Sequence, residues 1–141
     1  MQIAFHRLSP DTPIPEYKTP GACAFDIASI EERTLQPGER ALLRTGLVIK
    51  VPPGHVLLLL SRSSNAKKGI RLGNSVGTID QDYCGPNDEL MAAMHNFGHE
   101  PYTVQKGERV MQGLIVPIVK AEFIEPTEWA ANDRGGFGTT G

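Results

Sequence analysis

Short apolar runs, each closed off by glycine, proline or a polar turn, recur along nearly the whole chain and restrict it to a small set of folds. Ala24–Ala28, Ala41–Thr45, Leu47–Val51, Val56–Leu60, Val76–Ile79, Leu90–His95 and Val110–Val119 all have this form. Each has the length of a strand, and turn signals lie between them. Glycine and proline take 26 of the 141 positions, about 18% where average usage gives about 12%, so long helices have no room to form. The length suits one domain with one core. An all-β sandwich, jelly roll or barrel is the expected class.

Local signals refine this picture. Residues 1–21 alternate weakly through Ile3, Phe5 and Arg7 and then pass four prolines, as an edge strand followed by an extended loop would. Val56–Leu60 is apolar at all five positions, which implies a strand buried on both faces or lying in a subunit interface. A helical turn or two is expected around Ser64–Lys68, closed by Gly69 in a left-handed cap, and a second short helical piece around Thr127–Ala131. Gln36-Pro37-Gly38-Glu39-Arg40 and Gln105-Lys106-Gly107-Glu108-Arg109 both introduce apolar runs and read as one turn-to-strand device used twice.

Composition excludes several functional classes. A hydrophobic fraction of 40% with 21% charged residues excludes a disordered chain, and no stretch approaches 18 consecutive apolar residues, so no membrane span is expected. Fourteen basic against sixteen acidic residues leave a net charge of −2, which disfavours nucleic acid as a partner. Cys23 and Cys84 form neither a disulfide framework nor a zinc pattern. The N-terminus MQIAFHRLSP lacks the features of a signal peptide, so a cytoplasmic setting with free thiols is expected.

Polar clusters interrupt the strand pattern where strands end. Ser61-Arg62-Ser63-Ser64 combines hydroxyls, backbone amides and an arginine, a set suited to phosphate oxygens, although a plain helix cap with a surface arginine has the same sequence. In Gly73–Tyr83, Asn74 carries the donor and acceptor pair that reads a base edge, and Asp80 follows an apolar stretch able to desolvate it in part; a simple Asx turn in a hairpin is the alternative. Gly107–Gln112 places Arg109 and the Gln112 amide beside a strand. Arg134-Gly135-Gly136-Phe137-Gly138-Thr139-Thr140-Gly141 sets an arginine and a lone aromatic among glycines that permit close approach of backbone to phosphate. It does not have the spacing of a Walker loop.

Taken together, Ala24-Phe25-Asp26-Ile27, Arg62-Ser63-Ser64, Gly77-Thr78-Ile79-Asp80 with Asp82-Tyr83, Gly107-Glu108-Arg109 with Gln112, and Gly135-Gly136-Phe137-Gly138 resemble, in order and spacing, the five motifs of the trimeric dUTP diphosphatases, or dUTPases. The resemblance runs from about residue 17 to residue 141. It implies a jelly-roll-like β-barrel subunit over residues 1–132 with at most one or two short helices, and a glycine-rich arm at 133–141 that closes over a neighbouring subunit's site. It further implies a homotrimer that hydrolyses dUTP to dUMP and pyrophosphate with magnesium, each site being built from three chains.

Carried over by position, the resemblance makes Asp80 the carboxylate that activates the attacking water and Tyr83 the ring packed under deoxyribose. Arg62, Ser63 and Ser64 match the triphosphate-binding segment, and Gln112 a glutamine that contacts phosphate. Asn74, Thr78, Ile79 and Met91 match the uracil and sugar pocket. Phe137 matches the aromatic that closes over uracil, Arg134 the arm's phosphate-binding arginine, and Asp26 a carboxylate that orients the phosphate and metal-water network. Since no cluster of convergent carboxylates is visible in the sequence, the magnesium is expected to be held mainly by the triphosphate.

The chain departs from the family pattern at three points. Cys84 stands where the family commonly has arginine, Pro86-Asn87-Asp88 looks like an insertion in the following turn, and the arm lacks two residues that usually separate its arginine from the GGFG. The related dCTP deaminases, including bifunctional deaminase-dUTPases, share the fold and the RSS segment, but they carry a catalytic glutamate where Met91–His95 offers none. A non-enzymatic trimeric jelly-roll regulator would leave Asp80 and the arm without a purpose.

Overall fold

The computed structural model describes residues 1–128, 132–133 and 135–136. Along this stretch the chain forms β1 (Ala4–Arg7), β2 (Phe25–Ala28), β3 (Arg33–Leu35), β4 (Arg40–Arg44), β5 (Leu47–Lys50), β6 (His55–Ser61), α1 (Ser63–Lys67), β7 (Ile70–Leu72), β8 (Val76–Ile79), β9 (Met91–Asn96), β10 (Tyr102–Val104) and β11 (Arg109–Pro117). All strand pairs are antiparallel. They build a four-stranded sheet in the order β2-β11-β6-β8, a three-stranded sheet β4-β9-β7, and the two-stranded pairs β1-β5 and β10-β3. The non-sequential order makes this the expected all-β, jelly-roll-like architecture.

The two larger sheets share one core. From the first come Phe25, Ile27, Leu57, Leu59 and Met111; from the second come Leu43, Ala92, Met94, Ile70 and Leu72, all buried in a single cluster. Pleating accounts for which residues take part, because alternate positions along each strand face inward. Gly113 lies in this layer, and a Cβ there would meet the Phe25 ring at 2.5 Å and Leu57 at 3.1 Å. Phe25 therefore fills the space that a side chain at 113 would need, and it is held edge-on against Tyr17 with ring centroids 5.7 Å apart.

Most strands lie where the apolar runs predict them, with instructive differences. Val56–Leu60 is not buried on both faces within one chain: Leu57 and Leu59 are in the core, while Val56, Leu58 and Leu60 remain half-buried on the outer face. The last apolar run ends its strand at Pro117, and Val119 lies beyond it in solvent. The helix begins one residue earlier than its sequence signal, its N-cap is Arg62 with no side-chain cap, and so neither serine caps it. Gly69 does take the left-handed conformation, φ +70°, that ends it. Of the second helical piece, Thr127 and Glu128 form a bend, and 129–131 lie outside the described residues.

The repeated pentapeptide behaves as one device. In each copy the glutamate N–H donates to the glutamine carbonyl, and the glutamate carboxylate accepts the glutamine N–H at 2.8 Å (Gln36–Glu39) and 3.0 Å (Gln105–Glu108). Both turns need a residue at positive φ, and Gly38 (+78°) and Gly107 (+83°) supply it without Cβ strain.

Overpacking beneath Phe25 gives a direct check on this core. Gly113→Ala should lower stability by about 1–3 kcal/mol, read as a fall in the urea midpoint.

Candidate functional site

A charged cluster forms where β2, β11 and β6 end side by side. Asp26, on the outer face of β2, accepts from Arg62 Nε at 2.8 Å and from Arg109 Nη1 at 2.9 Å, one arginine per carboxylate oxygen. Asp26 and Arg62 are mostly shielded, with side chains 15% and 19% exposed, whereas Arg109 is 45% exposed and its guanidinium faces solvent. Asp26, Gln112 and Leu60 form one cross-strand row, and Gln112 Nε2 donates to the Ser61 carbonyl at 3.3 Å. Ser63, in the first turn of α1, is exposed. The Ser64 hydroxyl is buried with no hydrogen-bond partner among the described residues. Donors for an anion thus converge from Arg62, Arg109 and Gln112.

The second part of the site lies on the opposite edge of the same sheet. Among the described residues, strand β8 has β6 on one side and no strand on the other, so one line of its backbone N–H and C=O groups has no strand partner. Before it, Asn74 is exposed in a tight turn with Ser75 at φ +64°, and its side chain borders a cleft of about 290 Å³ with Leu42 and Ala93. Thr78 is exposed and Ile79 half-buried. Gly77 packs so closely on β6 that a Cβ would meet that of Leu59 at 3.0 Å. After β8, Asp80 borders a cleft of about 340 Å³ with Val56, Gln81, Asp82 and Lys120. Asp80 is exposed, so the desolvation expected from the preceding apolar run is absent within one chain.

Tyr83 and Met91 flank the inserted turn. The Tyr83 hydroxyl donates to the Glu89 carbonyl at 3.0 Å, leaving the ring 38% exposed. The turn is closed by the Gly85 N–H donating to Asp88 Oδ2 at 2.6 Å, and Glu89 fixes its base by accepting from the Gly46 N–H at 2.7 Å and Arg44 Nε at 3.1 Å. Met91, half-buried at the start of β9, pairs across from Arg44. Cys84 Sγ donates to the Gln81 carbonyl at 3.6 Å.

Sheet order decides which of these groups can meet. On the outer face Asp26 and Asp80 are two cross-strand rows apart, about 13 Å, and at opposite edges of four strands, about 14 Å across, hence about 20 Å apart overall. The structure brings Asp26, Arg62 and Gln112 together; Asn74 and Asp80 flank the two ends of β8 on separate clefts, with Thr78 on the strand between them, and within one chain Asp80 stays apart from the Asp26 cluster. Arg134 and Phe137 lie outside the described residues. Arg109 was visible within its cluster, yet its role as the second clamp on Asp26 depends on pairing across 83 residues, which spacing does not reveal. Among the described residues no three His, Cys, Asp or Glu side chains gather as a metal site, and both Asp26 oxygens are already taken by arginines.

The chain is thus an all-β, jelly-roll-like subunit with a carboxylate held by two arginines at one edge of its larger sheet and the β8 strand at the other. A family model described as dUTPase matches residues 11–141. The deoxyuridine 5'-triphosphate nucleotidohydrolase of Shewanella pealeana is 42% identical over 147 residues, covering 100% of this chain and 95% of that protein. The crystal structure of dUTPase from Streptococcus mutans superposes with a TM-score of 0.78 at 33% identity, covering 84% of this chain and 98% of that one. The dUTPase of Staphylococcus bacteriophage 80alpha, with dUPNHPP, gives 0.86 at 26% identity over 99% and 98%. The chain belongs to the dUTPase family.

Removing the charge of Asp26 leaves two guanidiniums facing each other. Asp26→Asn should cost on the order of 2 kcal/mol of stability, the cost of breaking a buried pair discounted for the exposure of Arg109. Chemical denaturation of the variant checks this.

Proposed function

We propose that this chain hydrolyses dUTP to dUMP and pyrophosphate as a homotrimer whose sites are completed between subunits. The observation that carries this reading is that Asp26 and Asp80 lie at opposite edges of the four-stranded sheet, about 20 Å apart on ideal sheet spacing, in a chain that belongs to the dUTPase family. Since neither half can act alone, the triphosphate side of one subunit faces the β8 edge of a neighbour. The outer face of the four-stranded sheet supports such packing, because Val56, Leu58, Leu60, Leu114 and Val116 are apolar and only half-buried in the single chain. Burial of each such side chain would contribute about 1.5–3 kcal/mol if complete.

In this reading uracil lies along β8, recognised by backbone groups around Thr78 and Ile79 and by the Asn74 amide. Cytosine is rejected because its amino group would leave a buried donor unpaired. Tyr83 packs beneath deoxyribose, with Met91 beside it. Arg62, Ser63, Ser64 and Gln112 hold the phosphates, and Asp26 keeps Arg62 aimed by binding it. Asp80 accepts a proton from the water that attacks the triphosphate; pyrophosphate leaves and dUMP remains. A magnesium ion would be held mainly by triphosphate oxygens, where it would neutralise phosphate charge. The arm, residues 133–141, closes the site through Arg134 and Phe137. In a cytoplasm this activity would clear dUTP from the nucleotide pool and supply dUMP for dTMP synthesis; among the described residues no helix is long and apolar enough to cross a membrane.

Pyrophosphate release from dUTP, dCTP, dTTP and UTP in parallel tests the reading: release from dUTP alone is expected, ammonia from dCTP would indicate a deaminase, and no reaction a regulator. Asp80→Asn should retain binding of a non-hydrolysable dUTP analogue while turnover falls on the order of 10³-fold. Truncation after Asn132 should leave a particle with the mass of three chains by light scattering and a severely reduced rate. A truncated chain that falls to monomer would show the tail to be structural.

A further inference from the structure

Three side chains spaced three residues apart tie the α1 segment to three consecutive residues at the entry of β11. Arg62 Nη1 donates to the Arg109 carbonyl at 2.9 Å, Asn65 Nδ2 to the Val110 carbonyl at 2.7 Å, and Lys68 Nζ to Glu108 Oε1 at 2.5 Å. A spacing of three sets all of them on one side of the short helix. The β11 entry needs these partners, because its register shifts between Arg109 and Met111 and its ladder with β6 starts only at Met111. On the α1 side β6 does not reach carbonyls 109 and 110, and the Arg62 guanidinium and Asn65 amide donate to them instead.

The third contact lies outside the residues assigned above to substrate. Glu108 also accepts from the Tyr102 hydroxyl at 2.6 Å and from the Gln105 N–H at 3.0 Å, and its own N–H and carbonyl bond the Gln105 and Ser29 backbone. The Lys68 ammonium sits 5.6 Å from the Tyr102 ring centroid. Glu108 is thus fixed to the barrel through four bonds, and Lys68 hangs the end of α1 on it. Burial pushes the Glu108 carboxyl upward, but the bonds from Lys68 and Tyr102 outweigh it and hold it below the usual glutamate range. The bond to Glu108 raises Lys68.

We propose that Lys68 and Glu108 are positioning residues for the triphosphate: their pair holds α1, with the Ser63 and Ser64 backbone, at a set distance from Arg109 and Gln112. This rests on the reading of α1 and the β11 entry as the phosphate side of the site. The pair touches no part of the β8 edge, so its loss separates the two halves of the substrate energetically. It should weaken whatever binds through phosphates and spare whatever binds through uracil and sugar.

The test compares two ligands on the assembled enzyme: a non-hydrolysable imido analogue of dUTP and deoxyuridine, which has no phosphate. In Lys68→Met and Glu108→Gln, affinity for the analogue and 1/KM for dUTP should fall about tenfold, the size of one lost charge-assisted bond. Deoxyuridine inhibition should stay within about twofold. Lys68→Arg should restore most of the loss, and Tyr102→Phe, which removes one bond and leaves the ion pair, carries the same test in milder form should a charge variant fail to fold. A parallel loss of both ligands would show a merely structural role, and unchanged analogue binding would also overturn the proposal. A wild-type enzyme inert toward dUTP would instead overturn the functional reading itself. The pair also leaves a pH signature. Its glutamate contribution to stability is complete above the ordinary value of 4.5 and is lost as pH falls through the lower folded value; its lysine contribution is complete below 10.5 and is lost as pH rises through the higher one. The stability gap between wild type and Glu108→Gln should therefore be level between those limits and narrow below pH 4.5.

Discussion

Among the described residues, nothing fully covers the outer face of strand β6. It runs apolar from Val56 to Leu60, and the pleat turns Leu57 and Leu59 into the core while Val56, Leu58 and Leu60 face outward. Strand β11 repeats the problem beside it, with Leu114 and Val116 in the same cross-strand rows. Water on such a face is unfavourable, and another copy of the chain is the cover that a symmetric assembly supplies. The polar site residues sit at the ends and edges of this face: the Asp26 cluster at one corner, Asp80 at the other. A second copy that buried the apolar centre would also bring its groups towards these corners, so on the proposed reading assembly and site formation would follow from one constraint.

Much of this was legible in the residues themselves. Seven apolar runs mark β2, β4, β5, β6, β8, β9 and β11, because strands with four or more residues show their period in sequence. The strands that escaped, β3, β7 and β10, have three residues each, and inward positions such as Leu35 and Val104 stand alone among polar neighbours. Their pairing with distant partners, such as Thr34 with Thr103, makes them strands, and no local signal records it. The N-cap reading failed for a similar reason. Arg62 occupies that position because its guanidinium is drawn to Asp26 and the Arg109 carbonyl, a tertiary demand that overrides local preference.

The candidate site divides along the same line. Residue types at strand ends suggest phosphate-binding and base-binding segments separately, since arginine, serine and glutamine suit anions wherever they fall. Which halves belong to one chain's corner is a matter of strand order, β2-β11-β6-β8, and that order is written in no short segment. Asp80 illustrates the cost: an apolar approach along Val76–Ile79 suggested a desolvated carboxylate, yet β8 is an edge strand and Asp80 is open to solvent in the single chain.

That exposure is informative about mechanism. A carboxylate that accepts a proton from water needs the water held and the surrounding solvent excluded, and an open edge provides neither. Docking of a neighbour's apolar face beside Val56 would shield the cleft that Asp80 shares with Lys120, and an arm closing from above would remove the remaining water. The Asp26 corner, by contrast, is bonded together within the subunit: Asp26 accepts from two guanidiniums, Asn65 and Arg62 satisfy the bulged β11 entry, and Lys68 anchors the helix end. On the proposed reading, one half of the site would be preorganised within the subunit and the other completed on assembly, which would tie hydrolysis to the oligomer.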